Sequence, residues 1–217
     1  MKTRMIALGT LLALSVSAAT AIAHVTEYKI DPGHTLVGFN VRHFFTKVPG
    51  RFKDFSGTIA FDDHNVANSR VDVTIQSTSV NTEHERRDTH LRGSDFFHAD
   101  SFPTITFKST KVVPGPDNAA LVHGDLTIRG ITRPVTLDAK FLGAMDDSRM
   151  GRKIAGFEGR TTINRKDFGI VWNRTFDQGA VMLGDDVAIE LNVEAVWRDP
   201  NAPPPPQRPP QAQPDKK

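Results

Sequence analysis

Apolar and polar residues alternate along several stretches of the chain, and the alternation indicates which side of each stretch faces inward. In the clearest one, every second residue from Val187 to Trp197 is apolar, and most residues between them are polar. Successive side chains of a β-strand point to opposite faces, so this stretch predicts a strand with one apolar face. The same pattern recurs at 37–41, 57–61, 71–75 and 135–141. The apolar faces must meet, in a sandwich or in a barrel.

Turn-forming residues divide the chain into short strands of regular length. Clusters such as Asp31-Pro32-Gly33 and Arg129-Gly130 separate the apolar runs. The predicted strands are 26–30, 35–44, 50–61, 70–77, 104–113, 119–128, 135–142, 153–163 and 187–197. Short strands joined by short polar turns are typical of an antiparallel all-β fold.

The segment 81–97 interrupts this pattern and predicts a short helical excursion. Its charged residues allow opposite-charge pairs three or four positions apart, such as Glu83 with Arg87. Apolar anchors come only at its end, in Phe96 and Phe97. We expect a helical loop that closes one end of the β structure, with the two phenylalanines tucked into the rim.

The N-terminal residues predict a cleavable signal peptide. Lys2 and Arg4 precede an apolar run, and Ala21-Ile22-Ala23 is a small-x-small cleavage site. Cleavage there makes His24 the first mature residue, although Ala19-Thr20-Ala21 offers a competing site. The chain is thus predicted to be exported, with no transmembrane segment after cleavage.

The C-terminal residues change character near Asp199. Residues 202–210 contain six prolines, which cannot pair in a sheet, so the tail should be extended and solvated. The predicted organisation is a signal peptide at 1–23, one β domain at 24–199 and a proline-rich disordered tail at 200–217.

Charge and cysteine content exclude several classes of function. Without residues 1–23 the chain has 25 basic and 25 acidic residues, and a nucleic-acid binder would need a clustered basic excess. The absence of cysteine excludes thiol catalysis, cysteine-ligated zinc and iron–sulfur chemistry.

Seven blocks of sequence, together with their order along the chain, resemble the YceI family of exported proteins. The resemblance runs from about Tyr28 to Glu194. The blocks begin with Tyr28-Lys29-Ile30-Asp31 and His34, and include Gly50-x-Phe52-Lys53-Asp54-Phe55-x-Gly57 and Asn164-Arg165-x-Asp167-Phe168-Gly169. The others are Phe39-x-Val41-x-His43, Arg87-Asp88-x-His90-Leu91-Arg92 with Asp95-Phe96-Phe97, Phe102-Pro103-x-Ile105-x-Phe107, and Gly124-Asp125-Leu126-Thr127-Ile128-x-Gly130 with Pro134-Val135.

The resemblance implies an eight-stranded, antiparallel, lipocalin-like barrel that carries a polyisoprenoid, such as a polyprenyl quinone or prenyl phosphate, or a similar long-chain lipid. It implies a binding or carrier role in the periplasm, with no enzymatic activity and no cofactor beyond that ligand. Nine predicted strands exceed eight, so one of them must be spurious or part of a broken strand. The oligomeric state stays open, with a homodimer among the alternatives.

The alternation names candidates for the inner face of the barrel. The chain has 14 phenylalanines but one tyrosine, so its aromatic residues bring almost no hydroxyl groups to a lumen. Such residues form either a packed core or the wall of a guest site, and the resemblance favours the guest site. The candidates are Phe39, Val41, Phe55, Ile59, Phe61, Val73, Ile75, Phe107, Leu126, Leu137 and Phe157.

Polar residues beside the strand ends are candidates for binding a ligand head group at the rim. They are Arg87, His90 and Arg92 on the helical excursion, and Asn164 and Arg165 after a strand. Arginine suits an anionic phosphate, whereas a quinone needs only neutral donors. Alternatively, these residues belong to structural networks with loop carbonyls.

The histidine spacing favours no metal site within the domain, since His84, His90 and His98 do not share a helical face. One alternative function is copper binding by a mature N-terminal His24, with a second histidine such as His123. Another is a packed barrel with only an interaction role. No Gly-x-Ser-x-Gly motif is present, and the paired aspartates lie in predicted turns.

Overall fold

The structure is a computed structural model that describes residues 24–175 and 182–201. The predicted signal peptide, 1–23, and the tail beyond residue 201 lie outside the described residues. The described residues form the strands β1 (Val25–Ile30), β2 (Leu36–His43), β3 (Thr46–Phe52), β4 (Phe55–Asp62), β5 (Arg70–Gln76), β6 (Val80–Asn81), β7 (Thr104–Pro114), β8 (Ala119–Ile128), β9 (Ile131–Asp147), β10 (Arg152–Asn164) and β11 (Leu183–Arg198). The described residues also contain one α-helix, α1 (Glu85–Arg92), and the 3-10 helices Val66–Asn68, Ser77–Ser79, Ser148–Met150 and Arg165–Phe168.

The strand segments form eight strands of one closed barrel, because three pairs of segments continue one another. β1 and β2 are two parts of one strand that is interrupted at residues 31–35. Both parts pair with β11 on one side, and on the other side β1 pairs with β4 and β2 pairs with β3. β3 continues into β4 past residues 53–54, and β5 continues into β6 through Ser77–Ser79. All pairings are antiparallel, and the remaining strands are neighbours in chain order from β5 to β11.

The predicted eight-stranded antiparallel barrel is therefore confirmed. The surplus prediction arises because the first two predicted strands, 26–30 and 35–44, are two halves of one broken strand. Asp31-Pro32-Gly33 breaks the strand, because proline has no amide hydrogen to donate to a sheet ladder. The chain then resumes the same course, and β11 stays paired on both sides of the break.

One end of the barrel is filled by side chains, and we call it the packed end. Tyr28, Phe61, Phe141 and Phe157 belong to a cluster there, separate from the main hydrophobic core. The ring centroid of Phe61 lies 4.7 Å from that of Phe141 and 5.4 Å from that of Phe157. Aromatic rings at these distances contact each other directly, so this end contributes a compact floor.

Helix α1 lies at the opposite end, which we call the α1 end. The segment 81–97 does contain the predicted helix, and the His84 side chain caps its start by accepting a hydrogen bond from the Arg87 amide at 3.3 Å. Asp88, which is 1% exposed, ties the helix to the preceding chain by accepting from the Thr82 amide at 2.8 Å. The suggested pairing of Glu83 with Arg87 is wrong. Glu83 instead pairs with Arg51 across 2.9 Å, and Arg87 donates to both oxygens of Thr82 at 2.7 Å.

Candidate functional site

A cavity of about 1010 Å³ occupies the barrel interior between the packed end and α1. The wall that the strands contribute is aliphatic and aromatic, apart from a few groups such as His43 and Thr161. A barrel of eight strands is just wide enough for side chains to fill it or for one guest molecule to occupy it. This interior leaves room for a guest, which argues against a wholly packed barrel.

Nine of the eleven predicted inward residues line the cavity. They are Phe39, Val41, Phe55, Ile59, Val73, Ile75, Phe107, Leu126 and Leu137. The other two, Phe61 and Phe157, point inward but lie in the packed end and are not part of the cavity wall. Alternation predicts the face of a strand but not the level along the barrel axis, so it could not separate floor from wall.

Two phenylalanines of the wall lie over glycines on neighbouring strands. A Cβ atom at Gly50 would overlap the ring of Phe39, and one at Gly124 would lie 2.5 Å from the ring of Phe107. Each glycine therefore leaves the space that its neighbour's ring occupies.

The predicted rim residues divide into two groups. Arg87, His90 and Arg165 line the cavity, whereas Arg92 and Asn164 do not. Arg92 donates to the carbonyl oxygens of Thr78 and Val80, at 2.9 and 3.4 Å. The Asn164 side chain accepts a hydrogen bond from the Lys166 amide at 2.9 Å and so caps a 3-10 helix.

Arg165 is committed to the protein around it. Its side chain is 4% exposed and donates to the carbonyl oxygens of Gly184, Ile170 and Trp172 at 2.9, 2.7 and 2.8 Å. It also pairs with Asp185 at 3.0 Å. Burial lowers the pKa of the Arg165 guanidinium, and the Asp185 carboxylate opposes that effect. Four of its five N–H donors are thus engaged, as the structural alternative for this residue anticipated.

The mouth of the cavity also contains residues that the sequence did not single out. His84, Arg86 and Thr89 of the α1 region line it together with Trp172. Arg86 is exposed and has no hydrogen-bond or ion-pair partner among the described residues. The ring of His90 contacts those of Trp172 and Phe96, with centroids at 4.9 and 5.0 Å, and these two rings contact each other at 5.3 Å. His90 Nε2 lies 2.8 Å from Asp95 Oδ2. Only tertiary structure brings Trp172 to α1, so no local signal could predict this group.

The histidine named with His24 in the copper hypothesis is not the one that contacts it. The imidazole of His24 meets that of His64, with ring centroids 5.0 Å apart. His123 lies on β8, where its Nδ1 is 2.8 Å from the Thr136 hydroxyl.

One further group of potential metal ligands occurs in the described residues. Side-chain atoms of Asp31, His34 and Glu194 lie within 4.8 Å of one another. The His34 ring is 3.0 Å from Asp31 and 3.6 Å from Glu194, so the three already form an ion-pair cluster.

No helix of the described residues has the length and apolar character needed to cross a bilayer.

Known proteins of similar sequence or similar fold place this barrel in a family. The protein YceI of Escherichia coli O17:K52:H18 is 45% identical over 164 residues, which are 74% of this chain and 84% of that protein. The crystal structure of Burkholderia cenocepacia BcnA, 25% identical, superposes with a TM-score of 0.67 over 76% of this chain and 99% of that one. A polyisoprenoid binding domain from Saccharophagus degradans, implicated in plant cell wall breakdown, shares the fold at 16% identity and a TM-score of 0.55, over 77% of this chain and 97% of that one. The family model of the YceI-like domain matches residues 28–195, and the chain therefore belongs to that family.

Proposed function

We propose that this protein is an exported lipid carrier that holds a polyisoprenoid or similar long-chain lipid in the barrel cavity, without catalysing a reaction. The observation that carries the proposal is the apolar cavity of about 1010 Å³, closed below by the packed end. The signal peptide predicted at residues 1–23 supports delivery to the periplasm.

The cavity wall suits a hydrocarbon. Among the described residues, no buried side-chain nitrogen or oxygen lacks a hydrogen-bond partner. A guest therefore needs no hydrogen-bonding groups of its own to satisfy the buried side chains of the wall. Each CH₂ group that leaves water gains about 0.8 kcal/mol, and a long chain therefore binds through its length alone. The polyisoprenoid binding domain of Saccharophagus degradans has the same fold, which supports an isoprenoid as the guest.

The mouth suits a polar head group. Arg86 and Arg87 both line it, and Arg86 has no partner among the described residues, so its guanidinium is available to an anionic or carbonyl oxygen. The Arg165 guanidinium is engaged in hydrogen bonds that stabilise the rim, so head-group binding falls to Arg86 and Arg87. A prenyl phosphate would engage the forked donors of arginine, and a polyprenyl quinone would accept single hydrogen bonds.

The test is native mass spectrometry of the mature protein, purified without detergent, followed by organic extraction. We expect one adduct per chain with fragments that step by isoprene units. A second preparation carries Val73→Phe and Val187→Phe, which place two added rings in the cavity; it should fold but retain less lipid. Ala188→Phe, on the outer face beside Val187, should retain lipid normally. A bare wild-type chain that also refuses added prenyl quinones and phosphates would contradict the proposal.

Copper binding is a second candidate function, favoured by the contact of His24 with His64. Cleavage after Ala23 would add a free α-amine to the two imidazoles, and amine and imidazole nitrogens suit Cu(II). The expected result is one tightly bound Cu(II) per mature chain, lost in His64→Ala but kept in His123→Ala. N-terminal sequencing that finds Ile22 first would eliminate this site.

A further inference from the structure

The hairpin between β2 and β3 carries two phenylalanines at its tip. His43 pairs with Thr46, so Phe44 and Phe45 form a two-residue turn. Such turns are usually built from glycine and asparagine, because they require a positive φ angle. Phe44 has a φ of 50°, and the side chain of Phe45 is 94% exposed. The turn therefore departs from the usual preference for glycine and asparagine and leaves an aromatic ring exposed to solvent. Such departures from local sequence preference are typical of functional sites.

Two cations lie directly behind this tip. Arg42 and Lys47 are opposite each other in the β2–β3 ladder, and both are exposed on the outer face. Neither has a carboxylate partner among the described residues. Like charges opposite each other weaken an antiparallel pair, and an anionic partner would remove that cost.

A neighbouring segment extends the same surface. The Phe44 amide donates to the Met182 carbonyl at 2.9 Å, and the Met182 amide donates to the Arg174 carbonyl at 3.0 Å, so Arg174 lies one step from the tip. Val171, in the same segment, is 66% exposed, while its neighbours Ile170 and Trp172 line the cavity. The surface thus has exposed apolar side chains and a third cation.

We propose that Arg42, Phe45, Lys47, Val171 and Arg174 form a docking surface for an anionic lipid bilayer. An exposed aromatic ring set among cations is suited to the bilayer interface, where the ring enters the headgroup boundary and the cations meet anionic lipids. The surface also adjoins the cavity, since His43 and Val48 on the two sides of the tip line its wall. The delivery of a bound lipid at this surface rests on the proposed function, whereas the binding of the surface to a bilayer does not.

The test is co-sedimentation of the mature protein with vesicles of phosphatidylglycerol and phosphatidylcholine in equal parts, compared with pure phosphatidylcholine. We expect binding to the mixed vesicles that weakens with added salt. Phe45→Asn should lower partitioning roughly tenfold, because one exposed ring no longer leaves water. Arg42→Gln and Lys47→Gln should each lower it roughly fivefold.

A matched control separates docking from general stickiness. Met145 is also an exposed apolar residue, 60% exposed, but belongs to the far end of β9, and Met145→Asn should partition like the wild type. Equal losses in Phe45→Asn and Met145→Asn would overturn the proposal. A wild-type chain that stays in the supernatant would also overturn the docking proposal and would favour a protein as the partner of the exposed tip.

Lipid extracted from the same preparations keeps the two proposals distinguishable. A wild type that carries lipid but ignores vesicles contradicts only the docking surface. A wild type that binds vesicles but carries no lipid and accepts none supports the docking surface and contradicts the carrier function. Phe45→Asn should keep the extracted lipid, because Phe45 does not line the cavity.

Discussion

Thr35 and Glu194 exchange two hydrogen bonds across the closure of the barrel. The Thr35 hydroxyl donates to the Glu194 carbonyl oxygen and accepts from the Glu194 amide, both at 3.1 Å. These contacts lie where β11 stops pairing with β2, at Asn192, and starts pairing with β1, at Ala195. The Asp31 amide also donates to the Glu194 carbonyl oxygen, at 2.9 Å, so the Thr35 side chain supplies the acceptor for the Glu194 amide that the broken first strand lacks.

Replacing Thr35 by valine should lower the free energy of unfolding by about 1–3 kcal/mol. Valine keeps the shape of threonine but removes the acceptor of the Glu194 amide in a half-buried site, whereas the Glu194 carbonyl keeps its hydrogen bond from the Asp31 amide at 2.9 Å. Urea unfolding measures the change, and Thr35→Ser, which keeps the hydroxyl, is the control. Similar losses in both variants would show that the methyl group, and not the hydrogen bonds, matters.

Arg165→Leu should destabilise the fold by about 3 kcal/mol or more. The substitution leaves three carbonyl oxygens and Asp185 without their buried donor. Lys166 also pairs with Asp185, at 2.7 Å, but it is exposed, and Lys166→Ala should cost less than about 1 kcal/mol. If Arg165→Leu instead melts like the wild type and loses only bound lipid, the residue serves the ligand and not the rim.

The packed end and the cavity wall should respond in opposite ways to truncation of a phenylalanine. Phe61→Ala opens a void among Phe141 and Phe157 and should cost about 3–5 kcal/mol, with lipid retention unchanged in the folded protein. Phe39→Ala borders space that is already empty, so it should cost less stability but alter retention. Thermal unfolding and lipid extraction on both variants measure the two effects. Equal retention losses would show that the guest reaches the packed end.

The fold was largely predictable from local pattern, because alternation in a strand reports burial on its two faces. Val187, Ile189 and Leu191 show it most clearly, and all three line the cavity. Asp31-Pro32-Gly33 predicts a turn between two strands, but a turn signal does not reveal whether the chain reverses or continues in the same direction. Continuity there depends on β11, more than 150 residues away in sequence.

The site was less predictable, because empty space leaves no mark on a sequence. Phe55 and Phe61 both occupy inward positions of β4, yet Phe55 lines the cavity and Phe61 belongs to the packed end, while Ile59 between them contacts both. Arg165 and Arg86 are both arginines beside strand or helix ends. Four long or medium-range hydrogen bonds distinguish the first from the second, and only the assembled loops supply those acceptors.

The cluster of His34 with Asp31 should make stability depend on pH within a defined window. The hydrogen bond with Asp31, and then the charge of Glu194, raise the pKa of His34 above its usual 6.5, although Arg152 opposes this. The same hydrogen bond, together with that from the Gly33 amide, lowers the pKa of Asp31 below its usual 3.8. His34 therefore contributes stability below pH 6.5 that disappears as pH rises through its folded-state value. Asp31 contributes stability above pH 3.8 that disappears as pH falls through its own folded-state value.

The stability difference between the wild type and His34→Gln should consequently be greatest between pH 3.8 and 6.5 and should shrink on both sides. Melting temperatures across that range measure it. The same substitution made in an Asp31→Asn background is the control, and there the pH dependence should be much weaker, with Glu194 alone facing the histidine. Because His34 is exposed, added salt should also reduce the difference. A difference that does not change with pH would mean that the His34 ring acts through packing in the turn, since an uncharged contact has no reason to disappear when the imidazole loses its proton.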